Sequence, residues 1–277
     1  MVKIIYFDLD GTLLNSEKKV SDANKLAIKR AYDSGIEIVV CTGRQNKAAR
    51  KFKELIGVGK YMICSNGSEI IEIDSGEELF SNCIEKESVE VLYKHFRENP
   101  SIVNFKFDTK YARYVLKPDI LIDDTIDFDE TDTKFFDDNN ILQIVVVFKD
   151  EQSCDNFAEN IKKIYGVKVE YKFSLKSKET GERLFYLDLV NSSVSKGNSI
   201  NGLVRYLKLN MGNVVCFGDD INDLSMIQMA GHGIGMGNAS EILKENADEV
   251  IGDNNTDDIS KVIDRIILEN EQEKNNV

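Results

Sequence analysis

Apolar residues along the chain fall into short runs separated by longer polar stretches with a helical repeat. That alternation predicts strands alternating with helices. Lys3–Phe7 is a short apolar run that fits a strand buried on both faces of a parallel sheet. Ala23, Ala27 and Ala31 then recur at four-residue spacing, with Ser21 placed to cap the start and Gly35 placed just past the end. The pattern predicts a helix over Ser21–Ser34. Strands at Ile36–Cys41 and Tyr61–Ser65 flank a polar-faced helix at Gln45–Ile56.

After Asn66-Gly67 the grammar changes. Asn-Gly between two apolar runs signals a hairpin, and Glu69–Ile73 and Leu79–Ile84 read as short antiparallel strands. The region 85–188 carries a helix at Lys86–Glu98 and strand-like runs at Ile102–Phe107, Tyr111–Leu116 and Ile141–Phe148. A helix at Gln152–Tyr165 and strands at Val167–Phe173 and Leu184–Val190 complete it. Long strand pairs with few crossovers predict an α+β layer. The last third returns to alternation: helix Gly197–Leu207, strand Val214–Phe217, helix Asp223–Met229, strands Gly233–Met236 and Glu249–Ile251, helix Asp257–Leu268. The polar end, Glu269–Val277, is expected to fray. No internal repeat is present. The simplest assembly is an α/β parallel-sheet core from residues 1–84 and 189–277, with an α+β domain, 85–188, inserted; a length of 277 residues fits about two domains.

Composition narrows the chemistry. Lys plus Arg is 35 and Asp plus Glu is 48, a formal charge of −13. A surface so acidic argues against nucleic acid or an anionic membrane as partner, since both call for a basic face. No stretch approaches the ~20 apolar residues of a membrane span, and the apolar start is too short for a signal-peptide core. A cytoplasmic protein is expected, a monomer or weak homodimer. Five cysteines, an odd number, fit reduced thiols, with Cys41 and Cys216 as small buried hydrophobes. Two histidines, His95 and His232, are too few for a His-rich zinc site and a poor basis for a Ser-His-Asp triad. Carboxylates are therefore expected to move any protons. Asp119–Asp138 carries nine carboxylates against Lys134 alone. Asp127 and Asp129 alternate as in a calcium loop, but no Gly follows, and a solvated face is expected.

Four segments could carry chemistry, and each follows a strand or opens a helix. In Asp8-Leu9-Asp10-Gly11-Thr12 the two carboxylates are two residues apart at a strand's C-terminal end, where open α/β sheets bind ligands. Their repulsion, about 4 kcal/mol at ~4 Å and an effective dielectric near 20, must be relieved by a cation, a shared proton or divergence in the loop. Capping of the strand end by two aspartates would look similar. Cys41-Thr42-Gly43-Arg44 offers a hydroxyl and free backbone N–H groups at a helix start, an anion site. Ser195-Lys196-Gly197 puts a lysine early in a helix, against the dipole, which fits either a bound anion or a solvated surface lysine. Gly218-Asp219-Asp220-Ile221-Asn222-Asp223 supplies carboxylates that read as Mg²⁺ ligands or as caps of the next helix.

In this order the four segments resemble the motifs of the haloacid-dehalogenase-like hydrolase superfamily, in its Cof-type phosphatase branch with a type-IIB cap. Thr42-Gly43-Arg44, Ser65-Asn66-Gly67 and Met236-Gly237-Asn238-Ala239 match as well. One stretch departs: Asp253-Asn254-Asn255-Thr256-Asp257-Asp258-Ile259 lacks the Gly that family members often carry there. The resemblance implies a Rossmann-like core, a cap that closes over the site and chooses the leaving group, and hydrolysis of small phosphorylated metabolites such as sugar phosphates or phosphorylated cofactors through an aspartyl-phosphate. By motif, Asp8 is the nucleophile and Asp10 the acid and base. Mg²⁺ is held by Asp8, the Asp10 backbone carbonyl and Asp219. The phosphoryl group is bound by Leu9 N–H, Thr42, Gly43, Lys196 and Asn222. Asp223 orients a metal-bound water or Lys196, Asn66 supports the site, and Arg44 either touches substrate or pairs with a core carboxylate. The resemblance further implies an ionised Asp8 beside a protonated Asp10. Rival readings are a phosphomutase of the same superfamily, a receiver-like module that accepts phosphate on Asp8 as a signal, and an inactive binding protein.

Overall fold

The computed structural model describes residues 1–116, 125–127, 129, 134–138, 140–177 and 181–276. The chain divides into two compact units, Met1–Phe80 with Ser195–Val277, and Ser81–Val194.

The first unit holds β1 (Ile4–Phe7), α1 (Asp22–Asp33), β2 (Glu37–Cys41), α2 (Asn46–Ile56), β3 (Tyr61–Cys64), β4 (Glu69–Glu72) and β5 (Glu78–Ser81). The second unit contributes α3 (Lys86–Glu98), β6 (Ile102–Thr109), β7 (Arg113–Val115), β8 (Thr125–Asp127), α4 (Phe135–Asp138), β9 (Ile141–Phe148), α5 (Glu151–Ile161), β10 (Val167–Lys176) and β11 (Arg183–Asn191). The chain then returns to the first unit through α6 (Lys196–Tyr206), β12 (Val214–Gly218), α7 (Leu224–Met229), β13 (His232–Gly235), α8 (Glu241–Asn246), β14 (Glu249–Val250) and α9 (Asp258–Asn275).

The core sheet has eight strands in the order β14-β13-β12-β1-β2-β3-β4-β5. From β14 to β3 every pair is parallel, and β4 turns back antiparallel to β3. β1 sits near the middle and is buried along its length, because successive side chains alternate between two packed faces. Ile5 and Phe7 join the cluster made with Ala27, Ile28 and Ala31 of α1 and Ile259 and Ile263 of α9. Ile4 and Tyr6 join the opposite cluster with Ile200 and Leu203 of α6 and Met226 and Ile227 of α7. The Ser21 hydroxyl accepts from the Asn24 amide and caps α1, as its position suggested. The β3–β4 reversal runs through Ser65, Asn66 and Gly67, all with positive φ, which is what Asn-Gly chemistry favours.

One end of the chain departs from expectation. Helix α9 runs on to Asn275 instead of fraying after Leu268. Asn270 is 7% exposed, and its amide both donates to the Val2 carbonyl and accepts from the Val2 N–H, each at 2.8 Å. Glu273 meets the N-terminal ammonium at 2.6 Å. Polar residues here stitch the last turns to the first strand's approach.

The second unit is a sheet in the order β10-β11-β9-β6-β7-β8, antiparallel except for the parallel β7–β8 pair. One face, with Phe105, Phe107, Ile144, Val146 and Leu187, packs on Val89, Leu92 and Phe96 of α3 and Cys154 and Ile161 of α5. Val145, Val147 and Tyr186 form a smaller cluster of their own. This is the expected α+β layer. The acidic stretch Asp119–Asp138 lies largely outside the described residues, so its expected solvated face is not addressed by them. All five cysteines are free thiols, four of them buried. No helix among the described residues is long and apolar enough to cross a membrane.

Candidate active site

The site lies at the C-terminal ends of β1, β2 and β12, where parallel strands deliver several loops to one edge. β1 ends at Phe7, and the N–H of the next residue, Asp8, donates to the Phe217 carbonyl of β12 at 3.0 Å. The chain then turns sharply, with Leu13 N–H donating to the Asp8 carbonyl and Leu14 N–H to the Leu9 carbonyl. Gly11 makes this turn possible twice over. Its φ is +86°, and a Cβ there would lie 2.1 Å from Asp219 Oδ2. Asp219 is thereby pressed against the Asp8–Thr12 loop, where the Thr12 hydroxyl donates to its Oδ1 at 2.7 Å. Asn238 ties the same loop in by donating to the Gly11 carbonyl at 2.8 Å. The divergent Asn-rich turn does its share without the missing Gly: Asn254 donates to the Leu14 carbonyl and its N–H donates to Asn238 Oδ1.

Lys196 enters from the first residue of α6. It is not a surface lysine: it is 0% exposed, and its ammonium donates to Asp8 Oδ1 at 2.6 Å and Asp223 Oδ1 at 2.5 Å. Ser195 caps the helix by accepting from Asn198 N–H. Gly197 lets the helix press on α7, since a Cβ there would lie 2.6 Å from the Ser225 carbonyl oxygen. The other oxygen of Asp223 accepts from the backbone N–H groups of Asp219 and Asp220. One residue thus fixes both the loop and the lysine.

The Thr42 loop is knitted to the β3–β4 turn. Asn66 N–H donates to the Thr42 carbonyl, and the Thr42 hydroxyl accepts from Arg44 N–H. Asn222 donates to Asn66 Oδ1 at 2.9 Å, and a Cβ on Gly43 would fall 2.9 Å from that same atom. Asn66 therefore links the Thr42–Arg44 loop to the Asn222 loop. Leu9 is buried in the hydrophobic cluster, which leaves only its backbone to face a ligand.

Asp8, Asp219 and Asp223 each offer a carboxylate oxygen within 4.8 Å of the others, a group that could hold a metal ion among the described residues. At that spacing each carboxylate pair repels by about 3 kcal/mol at an effective dielectric near 20. One ammonium cannot balance three carboxylates. Burial, helped by Asp223 and Asp219 and opposed by Lys196, holds the Asp8 carboxyl well above the usual carboxylate range. Burial and then Asp223, against the Thr12 hydrogen bond, push Asp219 up to about 7. Burial opposes the charge on Lys196, but Asp223 and Asp8 outweigh it and the ammonium is stabilised. A cluster of hard oxygen donors short of positive charge fits a divalent cation such as Mg²⁺.

The second carboxylate of the motif has gone elsewhere. Asp10 is half-exposed and faces two cations: Arg44 Nε meets Oδ2 at 2.6 Å, while Arg44 Nη2 and Lys18 Nζ each meet Oδ1 at 2.7 Å. Burial raises the Asp10 pKa, but these partners prevail and hold it at about 2. The side chain joining Asp8 and Asp219 in the carboxylate cluster is that of Asp223, while the Asp10 side chain is drawn off by Arg44 and Lys18. Burial raises the Asp8 pKa, and at Asp10 two cations outweigh burial and lower it, while a divalent cation on Asp8 and Asp219 would favour the ionised form of Asp8. Arg44 takes the carboxylate-pairing option. The motifs assign no role to Lys18 or Thr12. Thr12 lies inside a matched motif, whereas nothing in the spacing of Lys18 points to Asp10.

A family profile described as haloacid dehalogenase-like hydrolase matches residues 5–263. The chain is 28% identical over 268 residues to the 5-amino-6-(5-phospho-D-ribitylamino)uracil phosphatase YcsE of Bacillus subtilis, covering 96% of each. It is 26% identical over 277 residues to the pyridoxal phosphate phosphatase YbhA of Escherichia coli, covering 94% of this chain and 97% of that one. The solved structure of the subclass IIB sugar phosphatase BT4131 superposes with a TM-score of 0.75 at 22% identity, covering 96% of this chain and 99% of that one. With its core sheet, its inserted α+β unit and the loops that meet at Asp8, the chain belongs to the haloacid dehalogenase-like hydrolase family, as an enzyme of its Cof-type, subclass IIB phosphatase branch.

Proposed function

We propose that the protein is a Mg²⁺-dependent phosphatase of small phosphate monoesters that works through an aspartyl-phosphate on Asp8. The observation that carries this reading is the buried ammonium of Lys196 on Asp8 Oδ1, beside two further carboxylates. A dianionic phosphate approaches an anionic nucleophile only where positive charge is already in place. Asp8, Asp219 and the Asp10 backbone carbonyl would hold Mg²⁺, which when bound would supply Lewis-acid neutralisation of phosphoryl charge. Asp223 orients Lys196 and the Asp219 loop.

In the first step an Asp8 oxygen forms a bond to phosphorus while the bond to the ester oxygen breaks, and Asp10 gives that oxygen a proton. Leu9 N–H, Thr42, the Gly43 N–H, Lys196 and Asn222 hold the transferring group. In the second step Asp10 takes a proton from water, the water oxygen bonds to phosphorus, and the acyl-phosphate bond breaks to release inorganic phosphate and Asp8. Residues 85–188 are assigned the choice of leaving group. Two relatives act, by name, on a phosphorylated ribitylaminouracil and on pyridoxal phosphate, and sugar phosphates or phosphorylated cofactors are accordingly the substrate class assigned here.

Release of inorganic phosphate from a panel of such esters, with Mg²⁺ and with chelator, tests the reading. Turnover that needs Mg²⁺ and vanishes in a folded Asp8→Asn variant is expected. Undiminished phosphate release by that variant overturns the nucleophile assignment.

A further inference from the structure

Asp10 carries the acid–base work in the proposed function, yet its two oxygens are held unequally. Among the described residues, Oδ1 accepts from both Lys18 Nζ and Arg44 Nη2, while Oδ2 accepts from Arg44 Nε alone. A carboxyl oxygen that carries a proton loses most of its attraction to a cation. Oδ2 surrenders one contact to do so, and Oδ1 would surrender two.

The lysine is placed at a cost. Lys18 sits at φ +59°, left-handed backbone that lysine rarely adopts and that Gly or Asn takes readily. Asn15 builds the turn: its side chain accepts from Glu17 and Lys19 N–H, its N–H donates to the Lys19 carbonyl, and its carbonyl accepts from Lys18 N–H. The Lys18 side chain is 60% exposed, and exposed ion pairs add little to stability. Folding therefore gains nothing evident from a lysine in this turn, and strain kept without a folding benefit points to function.

We propose that Lys18 and Arg44 are a positioning pair for Asp10. The Arg44 fork sets the plane of the carboxyl, and Lys18 anchors Oδ1, so that Oδ2 carries the proton to the leaving oxygen. This rests on the acid–base role of Asp10 stated above.

Three aryl esters of similar shape separate positioning from other roles: phenyl phosphate, 4-nitrophenyl phosphate and 2,4-dinitrophenyl phosphate. The first leaving group needs protonation and the last does not. Lys18→Gly should fold at least as stably as the parent, because the turn relaxes. It should slow the first-turnover burst of phenol release from phenyl phosphate about tenfold, with substrate binding little changed and a much smaller slowing of the dinitrophenol burst, a readout that excludes the second step common to all three esters. Arg44→Lys, which keeps the charge but loses the fork, should show the same slope with a loss on phenyl phosphate of about a hundredfold. Equal losses of burst rate on all three esters, weaker substrate binding at constant burst rate, or no loss at all overturns the proposal. Asp10→Asn is the control. If its burst rate shows no dependence on leaving group, the acid–base reading itself fails and the positioning role falls with it. If it shows the slope while the Lys18 and Arg44 variants do not, the positioning role alone is rejected.

Discussion

Asp8 and Asp10 are two residues apart in sequence and belong to different electrostatic worlds. Asp8 is buried, shares Lys196 with Asp223 and crowds against Asp219. Asp10 is half-exposed and faces both Arg44 and Lys18. A strand end would send both side chains the same way, but β1 ends at Phe7 and the chain turns from Asp8 onward, with Leu13 N–H on the Asp8 carbonyl and Leu14 N–H on the Leu9 carbonyl. Proximity in sequence therefore says little about proton affinity. The count of cations against carboxylates at each place decides it, and the buried group is the one left short of positive charge.

The sharpest way to break that contrast is to take the cation from the buried side. Lys196→Met leaves Asp8 and Asp223 buried without their ammonium. Loss of phosphatase activity by at least about a thousandfold is expected, as for removal of a preorganised charge at a reacting centre. Stability should fall by about 3–5 kcal/mol without divalent ion, because one partner of a buried ion pair has been removed. Urea unfolding and initial rates on the same preparation measure both.

On the exposed side, Asp10→Asn keeps shape and removes charge. Turnover of esters with poor leaving groups should fall about 10²–10⁴-fold, while stability moves by less than about 1 kcal/mol. A large change in stability would mean that the Asp10–Arg44 pair belongs to the fold rather than to the reaction.

Thr12→Val deletes the hydroxyl that donates to Asp219 Oδ1 while conserving volume. Because that hydrogen bond favours the ionised carboxylate, Mg²⁺ affinity should weaken about tenfold. Calorimetric titration with Mg²⁺ alone reads this without recourse to turnover.

The smallest effect is one of pH. Asp219 is pushed up to about 7 in the folded protein, above its ordinary 3.8. The folded state thus binds the proton more tightly than the unfolded state between those values, and stability declines as pH rises through that window. In chelator, the Tm should drop by about 5 °C from pH 5 to pH 8, and saturating Mg²⁺ should flatten the slope. A Tm that rises with pH in chelator would contradict the charge accounting at Asp219.

Much of this was legible in the residues themselves. Alternating apolar runs marked β1, β2, β3 and β12 and their helices, and turn chemistry at Asn66-Gly67 marked the β3–β4 reversal. The motif order brought Asp8, Lys196 and Asp219 to one edge, because parallel strands deliver their C-terminal loops to the same place. What escaped depended on contacts between polar groups far apart in the chain. The Asn270 bonds to Val2 extend α9 through a stretch whose polarity reads as a frayed tail. The engagement of Asp10 depends on Lys18, whose amine reaches the site only through an uncommon backbone conformation. Neither carries a periodic signature, so neither could be read from pattern alone.

The acyl-phosphate on Asp8 is the centre of the account, and it can be caught. Asp10→Asn mixed with 2,4-dinitrophenyl phosphate should complete the first transfer, which needs no acid, and stall at the second, which needs a base. Acid quench and peptide mapping should then find a phosphoryl adduct on Asp8. An adduct on any other residue, or none while dinitrophenol is released in a burst, would contradict it.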